Sequence, residues 1–282
     1  MWRANTRTSL REGRCPTTKT EGEPISRRRL DTELVSRGLA TSREHAVELI
    51  KSRRVTVQGA PALKPTRQVG NGESIVVIGP PPRFVSRAGN KLEAALELFG
   101  LDPTNAMCLD AGSSTGGFTD CLLQTGAQRV FSVDVGTGQL HDRLRKNPKV
   151  EVFEKTDIRS IGVDTFADRP GLEHGFDIVV ADLSFISTSR LLPTLAPLVA
   201  PNGAAIVLVK PEFEAGRQDV SRGKGIISDP EIWTRVLHEF IDAATDTGLA
   251  VEDLGISPVK GGKGNVEFLA LLRHADTAPA SP

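Results

Sequence analysis

The chain has few cysteines and no long apolar run, and both absences restrict what it can be. Its 282 residues include three cysteines, Cys15, Cys108 and Cys121, an odd number without the spacing of a zinc site. This usage fits a reducing compartment and gives no disulfide framework, and we expect no metal. No stretch of about 18 or more apolar residues occurs, so the sequence predicts a cytoplasmic protein without a membrane-spanning helix.

Residues 1–24 also lack the features of a targeting segment. They are polar, contain no apolar core of a secretory signal, and carry three glutamates, which argue against a transit peptide. The segment has neither helical nor strand periodicity. We expect a disordered extension, or a start upstream of the true one, and a flexible tail at 276–282.

A net charge of zero conceals an uneven distribution of charge along the chain. Residues 1–85 contain 16 Lys and Arg against 8 Asp and Glu, whereas the remainder contains 19 against 27. A basic first third joined to an acidic remainder indicates a nucleic-acid-binding module attached to a separate body. The plainer alternative is a charged, solvated surface on an unrelated domain.

Residues 25–80 have the pattern of a compact module with two short helices and a small sheet. Apolar residues recur at helical spacing up to Gly38, which is a typical stop signal. A capping box at Thr41–Glu44 predicts the start of the second helix, and strands are expected at Val55–Val57 and Ser74–Ile78.

The basic side chains of this module are candidate RNA contacts. We expect those on the helices and at their ends to bind the RNA backbone with little reading of sequence, and they are Arg27, Arg28, Arg29, Arg43, Lys51, Arg53 and Arg54. The stretches Arg29–Asp31 and Ser42–Val57 resemble the S4 RNA-binding domain. Beyond the module, Arg87 is an eighth candidate.

From residue 86 onwards, strand-like apolar runs alternate with helical segments. We count about seven strands, which predicts a mostly parallel sheet with helices on both faces and a final antiparallel hairpin at its edge. The fold class is therefore α/β for a body spanning 86–275. A proline-rich linker, 81–85, joins it to the smaller α+β module.

A glycine-rich turn follows the first strand of this body. The strand ends at Asp110, and Gly112-Ser113-Ser114-Thr115-Gly116-Gly117-Phe118 leads into a helix, an arrangement that lets the backbone approach a ligand closely. The spacing is not that of the G-x-G-x-x-G fingerprint, and the turn alone is equally consistent with a structural role. Asp134 ends the second strand, where an acidic side chain accepts hydrogen bonds from both hydroxyls of a ribose. Asp157, after the third strand, is a candidate contact for an adenine amino group.

Four further ionisable residues stand beside apolar, strand-like runs: Lys91, Asp182, Lys210 and Glu267. Side chains at the carboxyl ends of strands in an open α/β sheet converge on one crevice, so these four are expected to meet. Such a set suits deprotonation of a poorly acidic hydroxyl beside a nucleotide-like cofactor. The alternatives are a lysine that reaches the surface at a strand end and an aspartate that caps a helix.

Five ordered segments closely resemble the TlyA family, whose members join an S4 domain to an FtsJ-like methyltransferase domain. They are Phe84–Leu92, Leu109–Thr119, Ala181–Ser187, Val209–Glu214 and Gly264–Glu267. The resemblance implies a Rossmann-like class I methyltransferase fold and S-adenosylmethionine-dependent 2′-O-methylation of a cytidine ribose in ribosomal RNA, 16S or 23S. It also implies that ribosomal subunits are partners, and it leaves the oligomeric state open.

The resemblance assigns catalytic roles to Lys91, Asp182, Lys210 and Glu267, with Lys210 as the base or the group that orients the acceptor. Cofactor contacts are expected from Asp110, Gly112, Ser114, Thr115, Gly116, Gly117, Phe118, Asp134, Asp157 and Asp182.

Three other functions stay open at this point. The chain could be a non-catalytic RNA-binding or ribosome-assembly factor, a haemolysin-like membrane-active protein, or a methyltransferase for DNA or protein. No amphipathic or apolar insertion element stands out in the sequence, which argues against lysis. The basic module and the candidate lysine base favour a ribose hydroxyl as the acceptor.

Overall fold

The computed structural model describes residues 27–40, 43–79, 82–166, 168–261 and 263–275. The chain divides into two compact units, Met1–Gly79 and Pro80–Pro282. The expected extension at 1–24, the start of the capping box at Thr41 and the tail at 276–282 lie outside the described residues.

The first unit packs two short helices against two small sheets. Its helices are α1 (Leu30–Ser36) and α2 (Arg43–Lys51), and its strands are β1 (Arg27–Arg29), β2 (Val55–Val57), β3 (Ala60–Pro61), β4 (Gln68–Gly70) and β5 (Ile75–Val77). β1 pairs antiparallel with β4, and β2 lies between β3 and β5. The arginines of β1 were expected on the helices or their ends. They form a strand directly before α1 because the backbone of β4 offers a pairing partner.

The second unit contains the larger sheet and most of the helices. Its strands are β6 (Met107–Ala111), β7 (Arg129–Val133), β8 (Val150–Phe153), β9 (Phe176–Ala181), β10 (Val199–Val209), β11 (Leu249–Ile256) and β12 (Phe268–His274). Its α-helices are α3 (Ala88–Phe99), α4 (Gly117–Gln124), α5 (Asp142–Arg145), α6 (Leu192–Leu195), α7 (Pro211–Glu214), α8 (Arg217–Arg222) and α9 (Pro230–Thr245).

The seven strands are ordered β11-β12-β10-β9-β6-β7-β8. The five strands from β6 to β10 are parallel, whereas β12 runs antiparallel to both β10 and β11. The predicted α/β class, the strand number and the antiparallel final pair are therefore confirmed. Because the strand order reverses between β6 and β9, a ligand crevice is expected at their carboxyl ends.

Apolar layers cover both faces of this sheet, which explains why the strands read as nearly continuous apolar runs. Alternate residues of β6 point to opposite layers: Leu109 belongs to the layer that includes α6 and α9, and Cys108 to the layer under α3 and α4. Cys108 and Cys121 are both buried in the second layer, and burial raises the pKa of the Cys121 thiol to about 12. They are core residues.

Four phenylalanines form the centre of the first layer. The Phe131 ring lies 5.5 Å from the Phe166 ring and 5.4 Å from the Phe176 ring in edge-to-face geometry, and it stacks on Phe153 at 6.4 Å. Aromatic pairs in these orientations add to the stabilisation that burial alone supplies.

Replacement of Phe131 by alanine is expected to lower the free energy of unfolding by about 3 to 5 kcal/mol, because it empties a site whose side chain is 0% exposed. Urea denaturation followed by far-ultraviolet circular dichroism measures this change. Phe185→Ala is the matched control: its ring is 92% exposed, so the same substitution should change stability by only ~0.5 kcal/mol. Equal losses in the two variants would contradict the packing described here.

Candidate functional site

A cavity of about 630 Å³ opens at the carboxyl ends of β6, β7, β8 and β9. This size is typical of small-molecule sites. It lies at the reversal of strand order, where the sequence predicted a ligand crevice. Its walls include five of the ten expected cofactor contacts: Gly112, Ser114, Asp134, Asp157 and Asp182. We call this space the first cavity.

The turn after β6 needs glycine at its first position. Gly112 has a φ of +84°, and a Cβ there would lie 2.8 Å from Leu183 Cδ2 and 3.1 Å from the Asp182 carbonyl oxygen. A larger residue would therefore push the ends of β6 and β9 apart. Close approach of these two strand ends brings Asp182 to the wall of the first cavity.

The other glycine-turn residues support the first cavity rather than line it. Gly117 packs against α3, since a Cβ at this position would lie 2.9 Å from both Ala88 Cβ and the Gly89 nitrogen. The Phe118 ring is buried in the apolar layer that contains α3 and α4. The Thr115 carbonyl accepts a hydrogen bond from the His141 N–H. Thr115, Gly116, Gly117 and Phe118 thus have structural roles, and the cofactor contacts expected from them stay predictions.

Asp134 is held in place by the backbone around it. Its Oδ2 accepts a hydrogen bond from the Ser114 N–H at 2.8 Å, and its Oδ1 accepts one from the Gly136 N–H at 2.6 Å. Each carboxylate oxygen has a second lone pair, so both can still accept from a ligand hydroxyl. The position matches the predicted ribose contact.

Asp157 lines the first cavity but has an intramolecular partner. Both of its oxygens bind the Arg159 guanidinium, with a distance of 2.5 Å between Asp157 Oδ2 and Arg159 Nη2. These hydrogen bonds lower the pKa of Asp157 to about 2. Any ligand amino group that uses this carboxylate must share it with Arg159.

Asp110 lies beneath the turn and not on the cavity wall. Its side chain is 1% exposed, and its Oδ2 accepts hydrogen bonds from the Thr119 N–H at 2.9 Å and the Thr119 hydroxyl at 2.6 Å. Its Oδ1 is buried without a hydrogen-bond partner among the described residues. Burial raises the pKa of this carboxyl to about 7. Asp110 thus supports the start of α4, and the cofactor contact expected from it stays a prediction.

The four ionisable residues do meet, although Lys91 lies in α3 and not beside a strand as the sequence predicted. Lys210 Nζ lies 2.6 Å from Asp182 Oδ1, and Lys91 Nζ lies 3.1 Å from Asp182 Oδ2. Lys91 Nζ also lies 2.6 Å from Glu267 Oε2. We call Lys91, Asp182, Lys210 and Glu267 the charged cluster. It is a continuous series of opposite charges beside the first cavity, which Asp182 also lines.

Burial and pairing have opposite effects on the charges of this cluster. Burial acts to lower the pKa of Lys91, but attraction from Asp182 and Glu267 outweighs it and raises that pKa above the ordinary value. Burial likewise acts to raise the pKa of Asp182, and the two lysines hold it below its ordinary value. Both groups are therefore charged at neutral pH.

The direction of the last strand explains how Glu267 reaches the cluster. Asp182 and Lys210 directly follow the parallel strands β9 and β10, whereas Glu267 directly precedes β12. Because β12 is antiparallel to β10, its amino end lies at the same edge of the sheet as their carboxyl ends. The sequence pattern placed Glu267 inside the strand; the structure places it one residue earlier.

Comparisons with known proteins agree on both units. The FtsJ-like methyltransferase family matches residues 84–274, and the S4 domain family matches residues 28–75. The 16S/23S rRNA (cytidine-2′-O)-methyltransferase TlyA of Mycobacterium tuberculosis is 41% identical over 248 residues, covering 88% of this chain and 90% of that protein. The chain belongs to the TlyA family.

Two further relatives carry a different name. Hemolysin A of Brachyspira hyodysenteriae is 38% identical over 242 residues, covering 86% of this chain and 98% of that protein. A solved structure described as a putative hemolysin from Streptococcus thermophilus has a TM-score of 0.71 and 37% identity, and the match covers 90% of each chain. No helix in the described part of this TlyA-family chain is long and apolar enough to cross a membrane.

Sequence reasoning missed three side chains that contact or border the charged cluster. Lys210 Nζ donates a hydrogen bond to Ser184 Oγ at 3.2 Å. Phe185 has a φ of +65°, which is strained for an aromatic residue, and its exposed ring lies 5.5 Å from the Phe213 ring. Ser184 and Phe185 follow Asp182 within three residues, and this proximity was the available signal.

Glu212 is the third missed residue. It lies two positions after Lys210, and a Cβ at Gly261 would be 2.7 Å from Glu267 Oε1 and 3.5 Å from Glu212 Oε1. Burial raises the pKa of Glu212, and the negative charge of Glu267 adds to this effect. A second cavity, of about 610 Å³, borders this region and is lined by residues that include Phe185, Glu212, Phe213, Arg190 and Arg217.

The candidate RNA contacts of the S4 domain fall into two groups. Arg27, Arg28, Lys51 and Arg53 are exposed. Arg29 and Arg43 both pair with Asp31, at 2.7 Å and 3.1 Å, and their hydrogen bonds hold the pKa of this buried carboxyl well below its usual range. Arg54 Nε donates to the Ile78 carbonyl at 2.7 Å.

Arg87, the eighth candidate, is exposed on the methyltransferase domain. No group of three or more His, Cys, Asp or Glu side chains in the described ranges is arranged to hold a metal ion.

Because the Asp110 carboxyl is buried, the stability of the protein should depend on pH. The folded-state pKa of this carboxyl, about 7, is above the value of the unfolded chain, so unfolding releases a proton between these values. Its contribution to stability therefore falls as pH rises from about 4 to about 7. The Asp110→Asn variant should not show this fall. At pH 8 its free energy of unfolding should exceed that of the wild type by roughly 2 to 4 kcal/mol, and at pH 4 the two values should be about equal.

Urea denaturation at a series of pH values measures the difference between the two proteins. Asp102→Asn is the control, because hydrogen bonds from Thr104 lower the pKa of this exposed carboxyl and so give the opposite sign. Parallel stability curves for the wild type and Asp110→Asn would refute the assignment.

Proposed function

We propose that this protein transfers a methyl group from S-adenosylmethionine to the 2′-hydroxyl of a cytidine in ribosomal RNA. The observation that carries the proposal is the buried charged cluster, in which Lys210 Nζ lies 2.6 Å from Asp182 Oδ1 at the wall of a cofactor-sized cavity. Kinship with the rRNA methyltransferase TlyA of Mycobacterium tuberculosis supports the same substrate.

The residues of the first cavity fit S-adenosylmethionine. Asp134 would hold the ribose hydroxyls, since its two oxygens are already oriented by the Ser114 and Gly136 N–H groups. Val135 and Ile158 offer apolar surface for the adenine ring, and Asp157 offers an acceptor for its amino group. Asp182 supplies negative charge for the sulfonium. When bound, the cofactor supplies a methyl group that is already activated by its positively charged sulfur.

The charged cluster would prepare the acceptor hydroxyl. Lys210 serves this hydroxyl, either by taking its proton or by holding an oxygen lone pair in line with the methyl carbon. The carbon–oxygen bond would form as the carbon–sulfur bond breaks, and the hydroxyl proton would pass to Lys210 Nζ where this group acts as the base, or to water where Lys210 only orients the oxygen. Asp182 fixes the direction of Lys210, and Ser184 adds a second contact to its Nζ.

Lys91 and Glu267 complete the positioning of Asp182. Lys91 lies between the two carboxylates and contacts both. Its positive charge balances the negative charge that would remain if Asp182 and Glu267 had only Lys210 beside them. A buried carboxylate without a partner would be strongly destabilised, so Asp182 and Glu267 depend on the lysines beside them. The geometry of the acceptor site would therefore depend on all four.

RNA binding is assigned to the S4 domain and to Arg87. Arg27, Arg28, Lys51 and Arg53 present exposed positive charge that can neutralise backbone phosphates. Arg29 and Arg43 are oriented by Asp31 and retain further N–H donors for a phosphate. Ribosomal subunits are the proposed partners, which places the protein in the cytoplasm.

The direct test is incubation of the full chain with labelled S-adenosylmethionine and ribosomal subunits that lack ribose methylation. Mapping of the modified ribose then identifies the nucleotide. The expected result is 2′-O-methylation of a cytidine. Tight binding to the subunits without methyl transfer would instead identify a non-catalytic assembly factor.

Lys210→Ala is expected to reduce methyl transfer by about 100-fold or more, because positioned acid–base groups contribute on this scale. Binding of S-adenosylmethionine should change by only a few-fold, since Lys210 serves the acceptor. Single-turnover kinetics and calorimetry measure the two effects. Lys149→Ala, at the opposite edge of the sheet, is the matched control. Near-wild-type turnover in Lys210→Ala would remove this lysine from the mechanism.

Asp134→Ala is expected to show the opposite pattern. It should weaken S-adenosylmethionine binding by about 1 to 3 kcal/mol, because two hydrogen bonds to a charged group are lost. Saturating cofactor should then restore most of the turnover. Asp134→Asn keeps one acceptor oxygen and should lie between the two. Unchanged affinity in Asp134→Ala, measured by calorimetry, would be inconsistent with a ribose contact.

A further inference from the structure

Two loops of the methyltransferase domain are fastened together beside the charged cluster. One loop, 223–227, follows α8, and the other, 257–267, joins β11 to β12. Asn265 is 2% exposed; its Nδ2 donates to the Gly225 carbonyl at 3.0 Å, and its Oδ1 accepts from the Ile227 N–H at 2.9 Å. Because Glu267 is only two residues further on, this amide fixes both loops close to the cluster.

Four exposed cations lie on α8 and on these two loops: Arg217, Lys224, Lys260 and Lys263. We call them the basic surface. Across the described ranges, none of the four has a carboxylate oxygen within 4.0 Å. Elsewhere on the same domain, exposed or half-buried arginines do have carboxylate partners, and examples are Arg143, Arg145, Arg159, Arg169, Arg235 and Arg273.

The domain that carries these four cations is acidic overall. From residue 86 to the end the chain has 19 Lys and Arg against 27 Asp and Glu, so carboxylates are in excess. Such a domain repels a polyanion unless positive charge is concentrated locally. A local group of cations without carboxylate partners is a surface at which an external anion can bind.

Lys263 lies directly over the loop that carries Lys224. A Cβ added at Gly225 would be 2.8 Å from Lys263 Nζ, so this ammonium lies against the backbone at Gly225. Gly225 is the residue after Lys224. The 223–227 loop therefore brings two lysines from distant parts of the sequence to adjacent positions.

Lys224 holds a backbone conformation that normally belongs to glycine. The Gly225 N–H donates to the Val220 carbonyl at 2.9 Å and the Lys224 N–H to the Ser221 carbonyl at 3.1 Å, which is the Schellman pattern that ends a helix. In this pattern the left-handed position is usually glycine, yet here it is Lys224, with a φ of +52°. A lysine in this strained position points to a use for its side chain.

The basic surface adjoins the site at which the acceptor would lie. Gly261, two residues before Lys263, is in close contact with Glu267 of the charged cluster. Arg217 lines the second cavity together with Phe185 and Phe213. Phosphates bound at the basic surface would therefore flank a nucleotide that reaches Lys210.

We propose that Arg217, Lys224, Lys260 and Lys263 form a phosphate-binding surface on the methyltransferase domain that holds the RNA backbone beside the acceptor nucleotide. This inference rests on the proposed function and adds a second RNA contact, distinct from the S4 domain. The basic surface positions the substrate and takes no part in methyl transfer. Its removal should raise KM for RNA and leave kcat unchanged.

The test compares the wild type with the double variant Lys224→Gly, Lys263→Gln in the full chain. Glycine suits the left-handed position, so the variant should keep the wild-type Tm or exceed it. Binding to unmethylated ribosomal subunits is measured between about 50 and 200 mM salt. Loss of two phosphate contacts should make the slope of log affinity against log salt shallower by about 1.5 units, at 0.7 to 0.9 per contact.

A matched control carries Lys146→Gln and Lys149→Gln. These residues precede β8, at the edge of the sheet opposite the first cavity, and the same change in net charge there should leave the slope as in the wild type. Binding of S-adenosylmethionine should be equal in all three proteins. If the true partner were an acidic protein segment, the double variant would lose binding to intact subunits but not to protein-free ribosomal RNA. That result would overturn the proposal.

Two other results would also overturn it. One is an unchanged slope in the folded double variant, and the other is an equal change of slope in the control. Failure of the proposed function would give a result different from both of these. In that case the wild type would bind the subunits without transferring a methyl group, whereas the comparison of slopes would still report on the basic surface.

Discussion

Two lysines share one aspartate whose side chain is 14% exposed, and the rest of the methyltransferase domain depends on this interaction. Each ammonium and carboxylate in the cluster is costly to bury alone, by several kcal/mol. Asp182 contacts Lys210 through one oxygen and Lys91 through the other, and Lys91 reaches Glu267 as well. Because each charge compensates its neighbour, the four residues are stable only together. The fold must therefore deliver four separate chain segments to one point.

The order of the strands in the sheet brings these segments together. Asp182 and Lys210 follow neighbouring parallel strands, and the antiparallel β12 starts at the same edge with Glu267. The fourth member, Lys91, comes from the first turn of α3, which packs on α4 where Gly117 leaves room. The same α4 begins at the glycine turn that borders the first cavity. The first cavity and the charged cluster are thus joined through one pair of packed helices.

The sequence predicted which residues lie at the edge of the sheet better than it predicted which side chains pair with one another. Polar residues beside apolar runs predicted that Asp182, Lys210, Glu267 and Asp134 lie at one edge of the sheet, because a strand ends at a known edge whatever its neighbours are, whereas Lys91 comes from a helix. The sequence could not predict that Asp157 would bind Arg159 two residues away, or that Asp31 would hold Arg29. Nor could it show that Asp110 turns inward to Thr119. Such choices depend on which donor lies nearest in three dimensions.

Charge balance is the physical argument for the proposed positive surface beside the charged cluster. The two lysines of the charged cluster are largely compensated by Asp182 and Glu267, and Glu212 lies beside Glu267, so they offer little net attraction to a phosphate. The domain as a whole has an excess of carboxylates. An RNA strand held only at the S4 domain would meet repulsion as its acceptor ribose approached Lys210. Unpaired cations on the α8 and β11–β12 loops would offset that repulsion at the point where the backbone must pass, and the strain accepted at Lys224 is consistent with such a need.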